Sequence, residues 1–265
     1  MSNQNKVVAI TGASRGIGKE AAKLFAQKGW TVYNLSRSPA KEPGIIDIPT
    51  DITHEQAVQA AFDQIQKQSG QLDLLINNAG FGIAGAVEFT DIKAAQSQFD
   101  VNFFGTVSCI KAALPMLKES RGRIISISSA AAVFAIPFQA FYSATKASIN
   151  ILSSALANEL RPFGISVCAL QLGDVKTDFT AARITSLEGD DVYNGAIGRS
   201  IQVMEKDEQN GMPAETIARA IYKTANKRKV KPLYTIGAKY KLFVLLNKLL
   251  PNSFVNWLIG NIYAK

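Results

Sequence analysis

The feature that most constrains this chain is an alternation. Short apolar runs that read as buried strands are separated by longer stretches with apolar residues at helical spacing. Val7–Ile10, Trp30–Ser36, Ile45–Thr50, Leu72–Asn77, Arg123–Ser128, Ile165–Leu170 and Leu233–Ile236 read as strands. Gly18–Lys28, a stretch ending at Gln68, Ile92–Leu117, Tyr142–Leu160 and Pro213–Thr224 read as helices, the second of them opened by a Thr53/Gln56 capping box. Continuous apolar strands joined by crossover helices form a parallel sheet covered on both faces, because neither face meets water. The pattern predicts an α/β fold, a single doubly wound domain of about seven parallel strands with helices on both faces. Residues 1–238 would form its catalytic part and residues 239–265 a C-terminal helical extension.

Composition narrows the classes. A chain of 265 residues, 47% of them hydrophobic, is large enough to bury its own core and excludes a disordered or disulfide-stapled protein. Cys109 and Cys168 lie far apart in apolar runs, which suits reduced packing residues in an intracellular protein and no metal site. The formal charge of +8 is spread along the chain, with one short run at Lys227–Lys231, so it reads as a solvated surface attractive to anionic ligands and not as a nucleic-acid site. The polar start leads at once into the first strand and leaves no room for a secretory signal, which points to the cytoplasm.

Doubly wound sheets bind ligands at the carboxyl ends of their strands. After the first strand comes Thr11-Gly12-Ala13-Ser14-Arg15-Gly16-Ile17-Gly18 and then a helix. Glycines there let the turn reach positive φ and bring backbone N–H groups and a helix N-terminus to a pyrophosphate. The spacing is GxxxGxG, a loose match to the Rossmann-type GxGxxG fingerprint, and a turn serving packing alone is the bland alternative. The second strand ends at Ser36-Arg37 without the acidic residue that would accept from a ribose 2′-hydroxyl. Arg37 and Arg15 could meet a 2′-phosphate instead, which favours NADP(H), or could be ordinary surface charges. Asp51 and Ile52 suit an adenine ring, although Asp51 could equally serve a turn. Asn78, Ala79 and Gly80 lie where the chain would pass beneath a cofactor, or form a plain turn.

Tyr142 and Lys146 stand four residues apart on one helix face. General acid–base work favours a pKa near the working pH, and a nearby cation stabilises a phenolate. Lowering the phenol by about three units needs roughly 4 kcal/mol, which Lys146 and an oxidised nicotinamide together could supply. Ser129 follows the fifth strand, where a hydroxyl can hydrogen-bond a substrate carbonyl. Asn102, inside the long helix, either holds a water that relays protons to Lys146 or is satisfied within the helix. No histidine suits a hydrolase: His54, the one present, lies at a helix start.

Taken in order, TGxxxGIG (Thr11–Gly18), NNAG (Asn77–Gly80), Asn102, Ser129 and YxxxK (Tyr142, Lys146) resemble the short-chain dehydrogenase/reductase family. By that resemblance Tyr142 is the general acid/base, Lys146 binds the nicotinamide ribose and lowers the phenol, Ser129 orients the carbonyl and Asn102 supports a proton relay. Gly173, Val175 and Thr177 match the family's PGxVxT, with Leu172 in place of the proline, and Val175 and Thr177 would touch the cofactor. Asn78–Gly85 and Gly164–Val167 look like the branch of NADPH-linked 17β-hydroxysteroid and retinol dehydrogenases. The resemblance implies hydride transfer with an apolar ketone, aldehyde, steroid-like or retinoid-like substrate, and a homodimer or homotetramer.

Between Thr180 and Gln209, Phe179's neighbours give no strong signal, and Phe179, Ile184, Leu187, Val192, Tyr193, Ile197 and Met204 are candidates to line a lid. Lys239–Lys265 carries two apolar runs parted by Pro251, each too short to span a bilayer. They read as two short helices over the cleft or an interface, with a weak peripheral membrane contact as the other possibility. A dinucleotide-binding sensor without chemistry is the rival function; it would need neither Tyr142 nor Lys146.

Overall fold

In the computed structural model, which describes residues 5–264, seven strands form one parallel sheet. The polar start at residues 1–4 lies outside the described residues, as does Lys265. The strands are β1 (Val7–Thr11), β2 (Thr31–Ser36), β3 (Ile45–Pro49), β4 (Leu74–Asn77), β5 (Arg123–Ser129), β6 (Ser166–Leu172) and β7 (Leu233–Ile236). Their order across the sheet is β3-β2-β1-β4-β5-β6-β7. The order reverses between β1 and β4, where Ile10 pairs with Ile76, and the crevice at that reversal opens at the strands' carboxyl ends.

Each strand sends alternate side chains to opposite faces, and both faces are covered. On one, Ala9, Leu35, Leu75 and Ile124 pack with α2 (Glu55–Ser69) and α4 (Gly105–Ser120) through Phe62, Ile65, Cys109 and Leu117. On the other, Val8, Ile10, Ile76 and Leu170 pack with α1 (Gly16–Gln27) and α7 (Ala214–Ala225) through Ala22, Phe25, Ile217 and Ile221. The two cysteines sit in opposite layers, both buried and unbridged.

Local chemistry departs from expectation at two helices. No capping box forms at α2: His54 is the N-cap without a side-chain bond, and Thr53 gives its backbone N–H and its hydroxyl to Asp51 Oδ1 at 3.0 and 2.7 Å. The aspartate reaches two residues ahead and closes its own turn, which removes Thr53 from the cap. The long helix after Ile92 is not uniform either. α3 (Ile92–Phe99) and α4 are joined through a π-helical turn, Asp100–Phe104, centred on Asn102. Single π turns inside α-helices commonly mark functional positions.

The segment without a sequence signal contains α6 (Ala196–Gln209), whose Ile197, Ile201 and Met204 are buried at i, i+4 and i+7. Beyond β7 the chain forms α8 (Ala238–Leu249) and α9 (Asn252–Tyr263), parted at Pro251 as the apolar runs suggest. Among the described residues, no helix is long and apolar enough to cross a membrane.

Candidate active site

The glycine turn is fixed by contacts that leave no room for side chains. Gly12 adopts φ +68°, and a Cβ there would lie 2.9 Å from Ala79 Cα. A Cβ on Gly18 would meet the Gly12 carbonyl at 2.4 Å. The Asn78 side chain donates to the carbonyls of Thr11 and Gly12 at 3.0 and 3.1 Å, and Thr11 Oγ1 accepts from the N–H groups of Asn78 and Ala79. β4's end therefore clamps β1's end, and the turn is held before any ligand arrives. Gly18 does not line the cleft; its contribution is this close packing.

A cleft of about 1280 Å³ runs from that turn across the carboxyl ends of the sheet. Gly12, Ser14, Arg15, Gly16 and Ile17 line one end, joined by Ser36 and Arg37 after β2 and by Asp51 and Ile52 after β3. Ser36 gives its hydroxyl proton to Asn34 Oδ1 at 2.5 Å, so its side chain has only acceptor capacity left for a ligand. Arg15 and Arg37 are exposed, and among the described residues neither makes an ion pair. Asp51 lines the cleft while serving the turn described above. Asn78, Ala79 and Gly80 line the cleft too, as do Val175 and Thr177, the latter set against Gly16 of the turn. The glycine turn, the helix N-terminus behind it and two guanidinium groups without ion pairs fit a nicotinamide dinucleotide.

At the centre stand Tyr142, Lys146 and Ser129. Tyr142 and Lys146 lie on the first two turns of α5 (Ala140–Glu159), and Ser129 ends β5. The Ser129 hydroxyl accepts from the Ala131 N–H at 3.1 Å and lies near enough to the Tyr142 phenol to favour its ionised form. Lys146 is buried, donates to the Ile127 carbonyl at 2.9 Å, and lies 5.7 Å from the centre of the Tyr142 ring. Burial pushes the phenol up to about 12, although the Ser129 hydroxyl works the other way, and burial pulls Lys146 down to about 8. The expected lowering of the phenol is therefore not produced by the chain alone, because desolvation outweighs the groups that favour the phenolate. Ser128, the neighbour of Ser129, also borders the cleft, but its hydroxyl is given to the Lys146 carbonyl at 3.1 Å.

Asn102 does not line the cleft and is not satisfied within its own helix. Its Oδ1 accepts from the Phe81 N–H at 3.0 Å, and its Nδ2 donates to the Phe81 carbonyl at 2.9 Å and to Thr145 Oγ1 at 3.1 Å. A Cβ on Gly80 would lie 3.0 Å from Asn102 Oδ1 and 3.6 Å from Lys146 Nζ, so the glycine is what lets these groups converge.

Past Tyr142 the cleft turns apolar. Phe179 lies 5.7 Å from Tyr142 ring to ring, and Phe81, Phe134 and Ile136 extend the wall. Of the lid candidates, Phe179, Ile184 and Met204 line the cleft. Leu187 and Val192 are exposed away from it, Tyr193 packs on Phe89 and Phe138, and Ile197 is buried in a separate cluster. Sequence reasoning missed a polar frame behind this wall. Arg183, wholly buried at its side chain, pairs with Glu208, which also accepts from Thr180 at 2.6 Å; burial raises the Glu208 carboxyl against the pull of Arg183. Tyr240 of α8 lies against Gly173 and donates to Asp174, whose carboxyl burial also raises. Leu172, where the family motif has proline, stays in the sheet opposite Ser129.

Residues 6–187 match the model of the family described as short chain dehydrogenase. The chain belongs to the short-chain dehydrogenase/reductase family. Among its relatives, 3-ketodihydrosphingosine reductase of Bacteroides thetaiotaomicron is 39% identical over 271 residues, spanning 98% of this chain and 99% of that protein. A short-chain dehydrogenase of Streptomyces avermitilis superposes with a TM-score of 0.85 at 28% identity, over 94% of each chain. The structure of ElxO with NADP bound has a TM-score of 0.76 at 26% identity and covers 90% of this chain and 99% of that one. This short-chain dehydrogenase/reductase is thus an oxidoreductase with the glycine turn, Ser129, Tyr142 and Lys146 grouped on one cleft.

Proposed function

We propose that the chain is an NADP(H)-dependent reductase of a ketone carried on a long apolar molecule. The observation that carries this reading is the position of Tyr142, at the junction between a cleft half built for phosphates and a half built from aromatic and aliphatic side chains. The bound dinucleotide supplies the hydride. Tyr142 gives the carbonyl oxygen its proton, and Ser129 hydrogen-bonds the same oxygen as charge develops on it. Lys146, anchored by the Ile127 carbonyl, sits where a cation favours the phenolate and can hydrogen-bond a ribose. Asn102 holds the Phe81 backbone and α5 in register and so positions the pair. Gly12, Ser14, Arg15, Gly16 and Ile17 would cradle the pyrophosphate, with Gly18 behind them; Arg37 and Arg15 would take a 2′-phosphate, Asp51 and Ile52 the adenine, and Val175 and Thr177 the nicotinamide end.

NADP(H) is favoured by the two unpaired arginines and by the absence of an acid at the end of β2, in line with the NADP bound to ElxO. A long-chain ketone is favoured by the apolar reach of the cleft and by the substrate named for the Bacteroides relative. Residues 1–238 form the cofactor-binding and catalytic part in this reading, and residues 239–265 the extension that closes the apolar end. Phe104 and Ile151, exposed around α4 and α5, favour a homodimer or homotetramer through those helices. The test is NADPH oxidation, with NADH in parallel, across 3-ketodihydrosphingosine, retinal, ketosteroids and small diketones. Turnover of the long-chain ketone with NADPH that vanishes in Tyr142→Phe is the expected result; NADPH binding without turnover of any ketone would leave a sensor.

A further inference from the structure

The helix pair α8–α9 has two apolar faces where an ordinary surface helix has one. The inner face belongs to the cleft: Tyr240, Phe243, Leu246 and Leu250 line it from one helix, Leu258 and Ile262 from the other. The outer face carries Leu242, Leu245, Leu249, Phe254 and Trp257, none of which lines the cleft. They are open to solvent, with Leu249 72% and Trp257 60% exposed.

The charges on this pair are of one sign. Lys239, Lys241 and Lys248 stand on α8, and no Asp or Glu occurs from Ala238 to the end of the chain. Helix α6 shows the contrast, with Glu205, Asp207 and Glu208 beside Lys206. Apolar side chains flanked only by lysines complement an anionic lipid surface, where the aliphatic residues enter the acyl boundary and the ammonium groups meet headgroup phosphates. Tryptophan is favoured at that boundary. Each helix has 12 residues, about 18 Å of length, so the pair lies along a bilayer and does not cross it.

We propose that the outer face of α8–α9 docks on an anionic membrane surface, so that the apolar end of the cleft, lined by the inner face of the same helices, takes its long-chain ketone from the lipid phase. The delivery clause rests on the proposed reductase activity; the docking clause does not. Docking brings the mouth and the lipid together because only one helix thickness separates Leu249 and Trp257 from Phe243 and Leu258.

The experiment is flotation of the full chain with vesicles of phosphatidylcholine alone or mixed with phosphatidylglycerol, at low and high salt. It is paired with turnover of a short water-soluble ketone and with the mass of the free protein by light scattering. Two variants are compared: Leu249→Ser with Trp257→Ser, and Lys241→Glu with Lys248→Glu. The wild type should float with the anionic vesicles, less at high salt, and each variant should lose roughly tenfold or more in affinity. Short-ketone turnover should stay within about twofold, since none of the four positions lines the cleft. A wild type that stays at the bottom of the gradient overturns docking, and so does equal flotation of the variants. A wild-type dimer that the Leu249/Trp257 variant dissolves, without flotation, assigns the face to a second copy and also overturns it. Flotation as expected with no ketone of any length reduced leaves docking standing and removes the reductase reading.

Discussion

Asn102 and Thr145 are joined by a 3.1 Å hydrogen bond that crosses from the π turn to α5, one residue before Lys146. The same carboxamide holds both backbone groups of Phe81. Asn102→Ala leaves the Phe81 N–H without its acceptor, while the Phe81 carbonyl keeps Gln98 Nε2 and Thr145 Oγ1 keeps the Tyr142 carbonyl; the one orphan costs about 1–3 kcal/mol. Turnover should fall by about tenfold or more, with NADPH affinity changed little because Asn102 does not line the cleft. Thr145→Val removes one partner only and should be milder. Steady-state kinetics beside NADPH titration separates the two effects, and an equal loss in binding would show that Asn102 shapes the cofactor site itself.

Tyr142→Phe keeps the ring against Phe179 and, in the proposed mechanism, removes the proton that the carbonyl oxygen needs. General acid catalysis contributes about 10²–10⁴ in rate, so turnover should drop by that factor while the fold and NADPH binding persist. Ser129→Ala should cost less, since the phenol remains, but should also remove a hydroxyl that favours the phenolate.

The layers of the fold and most of the site were legible in the sequence because both depend on local chemistry. Apolar runs such as Leu74–Asn77 and Ser166–Leu172 are buried on both sides and announce themselves, and the turn at Gly12 needs a residue free to take positive φ. What stayed hidden depends on partners far away in sequence. The Asn102 carboxamide finds Phe81 and Thr145, Arg183 finds Glu208, and Tyr240 finds Asp174, none of which spacing reveals. The π turn was hidden for the same reason, since its composition suits an ordinary helix. α6 could have been found: Ile197, Ile201 and Met204 recur at helical spacing, but charged residues between them weaken the pattern.

Lys146 makes stability depend on pH in a definite direction. Burial pulls its pKa to about 8 from the ordinary 10.5, so the fold disfavours the ammonium while the unfolded chain keeps it. Between about pH 8 and 10.5 the unfolded state binds more protons, and stability therefore rises with pH across that window. The cost is fully present below about pH 8. Urea midpoints of cofactor-free wild type and Lys146→Met should diverge in favour of wild type by roughly 2 kcal/mol from pH 8 to 10. A constant difference would mean that Lys146 is not held in a desolvated site.

In the proposed reading Arg15 and Arg37 carry a preference for NADP(H). Each charge-assisted pair to a phosphate is worth about 1.5–3 kcal/mol, so Arg37→Ala should raise the NADPH dissociation constant by about tenfold to a hundredfold. NADH binding should move little, because a 2′-hydroxyl offers these groups no charge to meet. The same measurement on Arg15→Ala apportions the effect. An equal weakening of both cofactors would place the arginines on the pyrophosphate instead.

Gly173 controls how closely the C-terminal helices approach the cleft. A Cβ at this position would sit 1.9 Å from two ring carbons of Tyr240, far inside contact distance, so Gly173→Ala must push the ring aside. The ring is also held by its hydroxyl, which donates to Asp174 in the loop after β6, the strand paired with the one that Ser129 ends. Displacing it separates α8 from the loop after β6 and loosens the wall formed by Phe243 and Leu246. Overpacking of this kind costs about 1–3 kcal/mol. Because Ser129, Tyr142 and Lys146 rest on β5 and α5, a short ketone should be reduced at close to the wild-type rate, while KM for a long-chain ketone rises. Tyr240→Phe keeps the packing and loses the hydroxyl, so it should reproduce the KM effect in part and leave a smaller mark on the melting temperature. If both ketones suffer equally in Gly173→Ala, the glycine serves the cofactor loop, and the apolar wall is not what selects the long chain.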